Sequence, residues 1–312
     1  MSDIVQVHGL GKKFGDLVAV DGVTFDISEG EIFGLLGPNG AGKTTMISML
    51  SCLISPTEGD AIIDGHSISH DAAAVKAVLG VVPQEVALYP TLSARENLAF
   101  WGRMYGLRGN TLSAAIDDAL DLAGLADRAH DRVERYSGGM KRRINIAAGV
   151  LHHPRVLLMD EPTVGIDPQS RNHILETVKS LNAQGMTVLY TSHYMEEVEY
   201  LCDRIAIMDH GRVIAMGTLD DLRDVVGGMD VIEVRLAEAS DAVIERVAGI
   251  EGVKRVDRVD DTVQVLTPSS GSLLGELVVT LESEGAHVTS LSVTEPDLES
   301  VFLHLTGKSL RD

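Results

Sequence analysis

The chain has 312 residues, of which 45% are hydrophobic and 23% charged, and its formal net charge is −20. This composition is typical of a globular protein, and the length suggests about two domains. The acidic balance argues against nucleic acid as a partner and against direct binding to anionic lipid, because both would be repelled.

The sequence indicates neither a secretory signal nor a membrane span. The N-terminus, MSDIVQVHGLGKKFG, lacks a charged segment followed by an apolar core. No run of about 18 apolar residues occurs along the chain. We therefore expect a soluble, cytoplasmic protein that reaches a membrane only through a separate partner.

The first part of the chain predicts strands around a glycine-rich loop. Alternating or apolar segments predict strands in DIVQVHGL (3–10), LVAVDGVTFDIS (17–28) and EGEIFGLL (29–36). The spacing of apolar residues in TTMISMLSCL (44–53) then favours a helix. The loop GPNGAGKTT (37–45), called the phosphate loop below, therefore joins a strand to a helix.

The phosphate loop matches the pattern G-x-x-x-x-G-K-[ST], which binds nucleotide phosphates. Its glycines let successive N–H groups face one anion, and the helix N-terminus adds a partial positive charge. We expect Lys43 to reach the β- and γ-phosphates and Thr44 to bind Mg²⁺. The predicted nucleotide contacts in this loop are Gly37, Pro38, Asn39, Gly40, Ala41, Gly42, Lys43, Thr44 and Thr45. The alternative, an ordinary glycine turn, is disfavoured by the strand and helix that flank the loop.

Residues 92 to 135 differ from the segments before them and predict inserted helices. LSARENLAFWGRMYGL (92–107) and LSAAIDDALDLAGL (112–125) carry apolar residues at three- and four-residue spacing. We expect Trp101 and Tyr105 to pack inside this helical region, with contact to a membrane subunit as the alternative.

The following segments predict a mainly parallel sheet, because strands alternate with helices. RVLLMD (155–160) and MTVLYTSH (186–193) have the apolar composition of buried strands. SRNHILETVKSLNAQG (170–185), which lies between them, predicts a helix with Ser170 as its N-cap and Gly185 at its end.

Two carboxylates, Asp160 and Glu161, end the first of these buried strands. A strand that brings Asp160 to a phosphate loop can hold Mg²⁺ there, directly or through water. Glu161 is one residue further and is suited to polarise an attacking water. The alternative, an acidic pair that merely ends a strand, is disfavoured by the phosphate loop in the same chain.

A second anion-binding helix end is predicted in YSGGMKRRINIAAGVL (136–151). Ser137 supplies a hydroxyl, and Gly138 and Gly139 leave backbone amides exposed at the helix N-terminus. A capped helix with flexible glycines is the alternative. One nucleotide needs only one such helix end unless a second copy of the chain contributes the other.

After Gly227-Gly228 the chain changes character. Residues 230–312 predict the order βαββαβ with one added helix, which suggests a small ferredoxin-like α+β domain. Dimerisation or regulation is the simplest interpretation of this domain.

In their order and spacing, these motifs resemble those of the ATPase subunit of ABC transporters over roughly residues 3 to 225. The phosphate loop matches the Walker A loop, and YSGGM (136–140), called the signature segment below, matches the family signature, commonly LSGGQ. Asp160 and Glu161 match the Walker B aspartate and the catalytic glutamate.

Four further positions match the same family. Gln84, in VVPQ, matches the Q-loop glutamine that reaches Mg²⁺ and faces the membrane subunit. Val164 to Asp167 match the D-loop at the dimer seam, and His193 matches the switch histidine that contacts the γ-phosphate. Phe14, in KKFG, matches the aromatic residue that stacks on adenine.

Two positions depart from the usual pattern. Met140 replaces the glutamine at the end of the signature, whereas Ser137 and both glycines remain. Phe14 stands where tyrosine is frequent, which keeps the stacking surface and loses a hydroxyl. The form YSGGMKRR and the tail EPDLESVFLHLTGKSLRD (295–312) resemble the branch that exports drugs, antibiotics and polysaccharides, of the daunorubicin-resistance type.

The resemblance implies an α/β fold, namely a P-loop NTPase of the ABC ATPase type. The ATPase domain would span 1–226, with an inserted helical subdomain at about 92–150, and an α+β accessory domain would span 227–312. The implied cofactors are ATP and Mg²⁺. Thr44, Gln84 and Asp160 would bind the Mg²⁺ ion. Lys43, Glu161 and His193 would carry hydrolysis.

The resemblance also implies an ATPase that energises a membrane exporter. Two subunits, either a homodimer or a pair with a second ATPase chain, would enclose ATP between Walker A of one and the signature of the other. A separate permease would hold them at the inner face of the cell membrane. The alternatives are an importer ATPase with a regulatory C-terminal domain and a soluble ATPase acting on nucleic acid or ribosomes. The net charge of −20 disfavours the latter.

Overall fold

The computed structural model describes residues 2–225, 229–236, 241–259, 262–284, 286–294 and 297–306. The chain divides into two compact units, the first ending at Thr218 and the second beginning at Leu219. Gly227-Gly228, where the sequence places a domain boundary, lies outside the described residues, as do 307–312 of the tail.

The first unit combines two β-sheets with helices. Its described strands are β1 (Asp3–Phe14), β2 (Leu17–Ser28), β3 (Ile32–Leu36), β4 (Glu58–Ile63), β5 (His66–Ser67), β6 (Leu79–Val82), β7 (Val156–Asp160), β8 (Thr187–Ser192), β9 (Arg204–Asp209) and β10 (Arg212–Gly217). Its described α-helices are α1 (Lys43–Leu50), α2 (Ala72–Val78), α3 (Ala94–Met104), α4 (Gly109–Leu122), α5 (Gly138–Val150), α6 (Pro168–Ala183) and α7 (Met195–Leu201).

The larger sheet has the strand order β10-β9-β3-β8-β7-β6 and is parallel except for β10 at its edge. The parallel sheet predicted from the sequence is therefore confirmed. Every residue of β3, β7 and β8 is buried, as expected for strands covered on both faces. Because their carboxyl ends share one edge, the segments that follow these three strands converge there.

The smaller sheet is antiparallel, with the order β2-β1-β4-β5. It shares a core with the larger sheet and with α1. Phe25 of β2 and Phe33 of β3 stack across this core, with ring centroids 5.0 Å apart. The helix that follows the phosphate loop is thus fixed by apolar packing on its buried side.

Helices α3, α4 and α5 form a separate apolar cluster, which is the inserted helical region. Ser93 caps α3 in a capping box with Glu96, which satisfies two N-terminal backbone donors. Trp101 and Leu107 pack at the edge of this cluster.

Two predicted helix ends differ from the observed ones. Ser170 is not an N-cap: Asp167 caps α6 by accepting a hydrogen bond from the Ser170 N–H at 2.9 Å, and Pro168 follows at the first helical position. Helix α1 ends at Leu50 and not at Leu53, because Cys52 turns into the left-handed region with φ 53°.

The second unit is an antiparallel sheet covered by helices. Its described elements are α8 (Leu219–Val225), β11 (Asp230–Leu236), α9 (Asp241–Ala248), β12 (Arg255–Val259), β13 (Thr262–Thr267), α10 (Ser270–Ser283), β14 (Val288–Thr294) and α11 (Leu298–Thr306). The strand order is β12-β13-β11-β14, and residues of α9 and α10 share its apolar core. The order agrees with the βαββαβ connectivity, and the ferredoxin-like assignment stays a prediction.

Among the described residues, no helix is both long and apolar enough to cross a membrane.

Helix α5 lies unusually close to strand β6, and two glycines allow it. A Cβ at Gly80 of β6 would lie 2.4 Å from the carbonyl oxygen of Gly149 in α5. A Cβ at Gly149 would meet the Val81 carbonyl oxygen at a less severe 3.2 Å. This contact fixes the C-terminal half of α5 on the sheet and thereby sets where its N-terminus points.

We predict that Gly80→Ala lowers the free energy of unfolding by about 1–3 kcal/mol, the usual cost of overpacking. Gly149→Ala is expected to cost less, because its contact is looser and alanine favours the helix by roughly 1 kcal/mol. Urea unfolding of both variants followed by circular dichroism checks this. A larger loss for Gly149→Ala would contradict the account of the contact.

Candidate active site

The phosphate loop packs tightly on neighbouring backbone, and its glycines permit this. A Cβ at Gly37 would lie 2.3 Å from the carbonyl oxygen of Met208, and one at Gly42 would lie 2.5 Å from that of Ala19. Gly42 also has φ 106°, a conformation that residues with a side chain rarely adopt. The loop therefore has one defined shape, set by strands on either side.

Lys43 lies inside the loop and has three oxygen partners. Its ammonium donates to the carbonyl oxygens of Gly37 at 2.6 Å and Pro38 at 3.0 Å. It also pairs with Glu161 Oε1 at 3.0 Å. Both charged side chains are about 95% buried, so each relies on the other and on hydrogen bonds for compensation.

Asp160 lies next to Thr44, as expected for two side chains that are predicted to bind one Mg²⁺ ion. The Thr191 hydroxyl donates to Asp160 Oδ1 at 2.9 Å and accepts from the Glu161 N–H at 3.0 Å. Burial raises the pKa of Asp160, while hydrogen bonds from the Thr191 and Thr44 hydroxyls oppose that rise. A carboxylate beside a hydroxyl is a hard-oxygen donor set that suits Mg²⁺ completed by phosphates and water.

Glu161 is the point at which the predicted catalytic residues meet. Gln84 Nε2 lies 3.3 Å and His193 Nδ1 3.2 Å from Glu161 Oε2, while Lys43 holds Oε1. These residues come from four separate segments of the chain. Glu161 also has φ 45°, which costs a residue with a side chain of order 1 kcal/mol or more and often marks a functional position.

A cavity of about 480 Å³ opens beside this cluster. It is lined by Phe14, Leu17, Val18, Ala19, Asn39, Gly40, Gly42, Lys43, Thr44, Thr45, Gln84, Glu161, His210 and Gly211. Phe14 is 49% exposed, and the Lys12 ammonium lies 5.1 Å from its ring centroid. An exposed aromatic ring thus lies in the same cavity as a phosphate-binding loop.

The signature segment contributes none of the described residues that line this cavity. Ser137 caps α5 by accepting a hydrogen bond from the Met140 N–H at 3.3 Å. The helix start predicted at this serine is confirmed, and its role in binding an anion stays a prediction. Tyr136 is buried, and its hydroxyl donates to the Arg128 carbonyl at 2.6 Å. A Cβ at Gly139 would lie 2.1 Å from Ser170 Oγ. The segment is therefore firmly held against the start of α6.

Sequence reasoning missed another buried carboxylate, Glu197 of α7, which is 2% exposed. Its Oε2 accepts hydrogen bonds from Thr163, Tyr190 and Ser192 at 2.8, 2.9 and 3.0 Å. Arg171 Nε lies 3.3 Å from the other oxygen, close enough for an ion pair but not aligned for a hydrogen bond. The group joins the segments that follow β7 and β8.

One sequence signal points to this role of Glu197. It precedes Leu201 by four residues and so lies on the face of α7 that the buried Val198 and Leu201 also mark. A carboxylate at a position where helical periodicity calls for an apolar residue indicates a buried polar partner.

Comparison with known proteins gives a consistent result. A family model described as ABC transporter matches residues 20–164. The linearmycin resistance ATP-binding protein LnrL of Bacillus subtilis is 47% identical over 99% of this chain and 100% of its own length. The daunorubicin resistance ATP-binding protein DrrA3 of Streptomyces coeruleorubidus is 39% identical over 98% of this chain and 97% of its own.

Among solved structures, one similar chain is a dimeric ATP-binding cassette in a post-hydrolysis state bound to ADP and Pi. It is 29% identical, has a TM-score of 0.63, and covers 69% of this chain and 98% of its own.

We predict a graded loss of stability when the Glu197 group is taken apart. Tyr190→Phe removes one of three donors and should cost about 1 kcal/mol. Glu197→Ala leaves three buried hydroxyls and Arg171 without their acceptor and should cost about 3 kcal/mol or more. Urea unfolding measures both values. Equal losses, or none for Glu197→Ala, would show that the carboxylate does not organise these segments.

Proposed function

The chain belongs to the ATP-binding subunits of ABC transporters, and from that premise we propose how its residues bind ATP, hydrolyse it and drive export. The subunit is an ATPase of the resistance and export type, which dimerises and works with a transmembrane component. The observation that carries the residue assignments is the convergence of Lys43, Gln84 and His193 on Glu161.

ATP enters the cavity of about 480 Å³ with its adenine on the exposed ring of Phe14. Its phosphates accept hydrogen bonds from the backbone amides of the phosphate loop and from the N-terminus of α1. Lys43 exchanges its bonds to the Gly37 and Pro38 carbonyls for phosphate oxygens, which satisfies its buried charge more fully.

The Thr44 hydroxyl and Asp160 would hold Mg²⁺ beside the phosphates, with the Gln84 side-chain oxygen as a further donor. When bound, the metal neutralises charge on the β- and γ-phosphates. The hydrogen bond between Thr44 and Asp160 supports this assignment, because a hydroxyl and a carboxylate in contact can bind the same metal ion.

Glu161 orients the attacking water and accepts its proton, and His193 holds the γ-phosphate. When Lys43 turns to the phosphates, Glu161 loses a cationic partner in a buried position. Its Oε1, no longer paired with the ammonium, is then available to accept a hydrogen bond from the attacking water. Binding of ATP thus prepares the base, and hydrolysis relies on positioning and electrostatics.

A second ATPase subunit, a copy of this chain or a related one, completes each site. Two subunits meet head to tail, and Ser137, Gly138 and Gly139 of one face the phosphates held by the other. The signature segment supports this arrangement, because it presents a helix N-terminus yet lines no part of the described cavity of its own chain.

A separate permease docks beside Gln84 and holds the subunit at the cytoplasmic face of the membrane. An apolar groove of about 450 Å³ lies there, lined by residues that include Leu53, Pro83, Trp101 and Tyr105. The resistance-type relatives support export over the alternatives, an importer ATPase and a soluble ATPase. Co-purification with an export permease, as opposed to a binding-protein-dependent permease or ribosomes, separates the three.

We predict that Lys43→Ala lowers the turnover number for ATP by at least about 100-fold, since a buried charge that stabilises the transferred phosphate is lost. Lys179→Ala is the matched control: Lys179 lies on α6, its ammonium lies over the ring of Tyr200 on α7, and it lines no part of the described cavity. Steady-state phosphate release per folded protein measures both. Hydrolysis by Lys43→Ala at the wild-type rate would overturn the assigned role of Lys43.

A further inference from the structure

Arg142 of α5 is buried and fastened to the backbone of the segment that carries Gln84. The side chain is 4% exposed. Its Nη1 donates to the Pro83 carbonyl at 2.8 Å, and its Nη2 donates to the Gln84 carbonyl. A planar guanidinium bridges two successive carbonyls in a fixed direction, which the ammonium of lysine cannot reproduce.

A second contact from α5 holds the same segment three residues further on. Asn145 Oδ1 accepts a hydrogen bond from the Ala87 N–H at 3.0 Å. Arg142 and Asn145 are spaced by three residues and so face the same side of the helix. The Ala87 carbonyl in turn accepts a hydrogen bond from the indole of Trp101 at 3.1 Å. Residues 83–87 are thus tied to α5 at both ends.

The Gln84 side chain continues this connection into the catalytic cluster. Gln84 Nε2 lies 3.3 Å from Glu161 Oε2. At the other end, α5 begins at the cap formed by Ser137 in the signature segment. One rigid helix and one arginine therefore separate the signature segment from the Gln84 side chain that contacts the catalytic carboxylate.

We propose that Arg142 is a positioning residue through which the signature helix α5 sets the place of Gln84 against Glu161. This inference rests on the proposed function, in which the signature segment faces the nucleotide of the second subunit. A shift of α5 caused by that nucleotide is then passed through Arg142 to Gln84 at the subunit's own nucleotide. The two ATP sites of the dimer communicate by this route.

Arg143, the next residue, provides a matched control. It lies on the same helix, and its Nη1 also donates to a backbone carbonyl, that of Ala123 at 2.9 Å. Ala123 ends α4 inside the helical cluster and has no part in the segment 83–87. Arg143→Gln therefore removes a similar bond without touching Gln84.

The test compares the full-length wild type with Arg142→Gln, Arg142→Lys and Arg143→Gln. Initial rates of ATP hydrolysis over a range of ATP concentrations give kcat, KM and the Hill coefficient. The emission of Trp101, the one tryptophan of the chain, reports without nucleotide whether segment 83–87 keeps its native packing. If Arg142→Gln does not fold, the test rests on Arg142→Lys. This variant keeps the positive charge but loses the two guanidinium N–H groups that bridge the Pro83 and Gln84 carbonyls.

We expect Arg142→Gln to lower kcat by roughly 10-fold and to bring the Hill coefficient down toward 1, with KM changed by less than about threefold. Arg142→Lys should lie between this variant and the wild type, and Arg143→Gln should match the wild type. Unchanged kcat in Arg142→Gln, equal losses in Arg143→Gln, or a wild-type Hill coefficient of 1 would overturn the inference. A wild type that does not hydrolyse ATP would overturn the proposed function itself.

Discussion

The first unit depends on the buried ion pair between Lys43 and Glu161. Two charges that are almost fully removed from water are tolerable only when every remaining hydrogen-bonding group near them is satisfied. The loop carbonyls do this for the lysine, and Gln84 and His193 do it for the carboxylate. Parallel strands are what allow such distant residues to meet, because the segments after β3, β7 and β8 leave the sheet at one edge.

Another buried carboxylate, Glu197, supports this pair. It accepts hydrogen bonds from Thr163, two residues after Glu161, and from Ser192, just before His193. The segments that carry Glu161 and His193 are therefore held by one polar group on the side away from the nucleotide cavity. Arg142 likewise holds the backbone that carries Gln84, because it donates hydrogen bonds to the carbonyl oxygens of Pro83 and Gln84. The residues that we propose as catalytic are thus positioned by buried polar contacts from residues that do not line the described cavity, which is how a fold keeps reacting groups in a productive arrangement.

Local patterns in the sequence were enough to predict the glycine-rich loop between β3 and α1, the buried strands and the helix start at Ser137, because each depends on neighbouring residues. The position of the Ser170 cap was wrong, since Asp167 followed by Pro168 is the stronger helix start. The elements β5, α2, β6, α7, β9, β10 and α8 were not predicted. None is longer than seven residues, and segments this short carry little periodicity. Glu197 and Arg142 were missed for another reason: their partners lie up to 59 residues away in the sequence. A local pattern can indicate that such a side chain is buried, as it does for Glu197, but not which residues it contacts.

The most direct test of the shared-site account is the mass of purified Glu161→Gln protein by light scattering, with and without ATP and Mg²⁺, beside the ATPase rate of the wild type. Removing the proton acceptor should preserve binding and stop hydrolysis. The account predicts that the variant doubles its mass only when ATP is present, while the wild type hydrolyses ATP and does not accumulate the dimer. A Glu161→Gln variant that keeps the mass of a monomer with ATP and Mg²⁺, beside a wild type that hydrolyses ATP, would contradict it, since the signature segment would then complete no site.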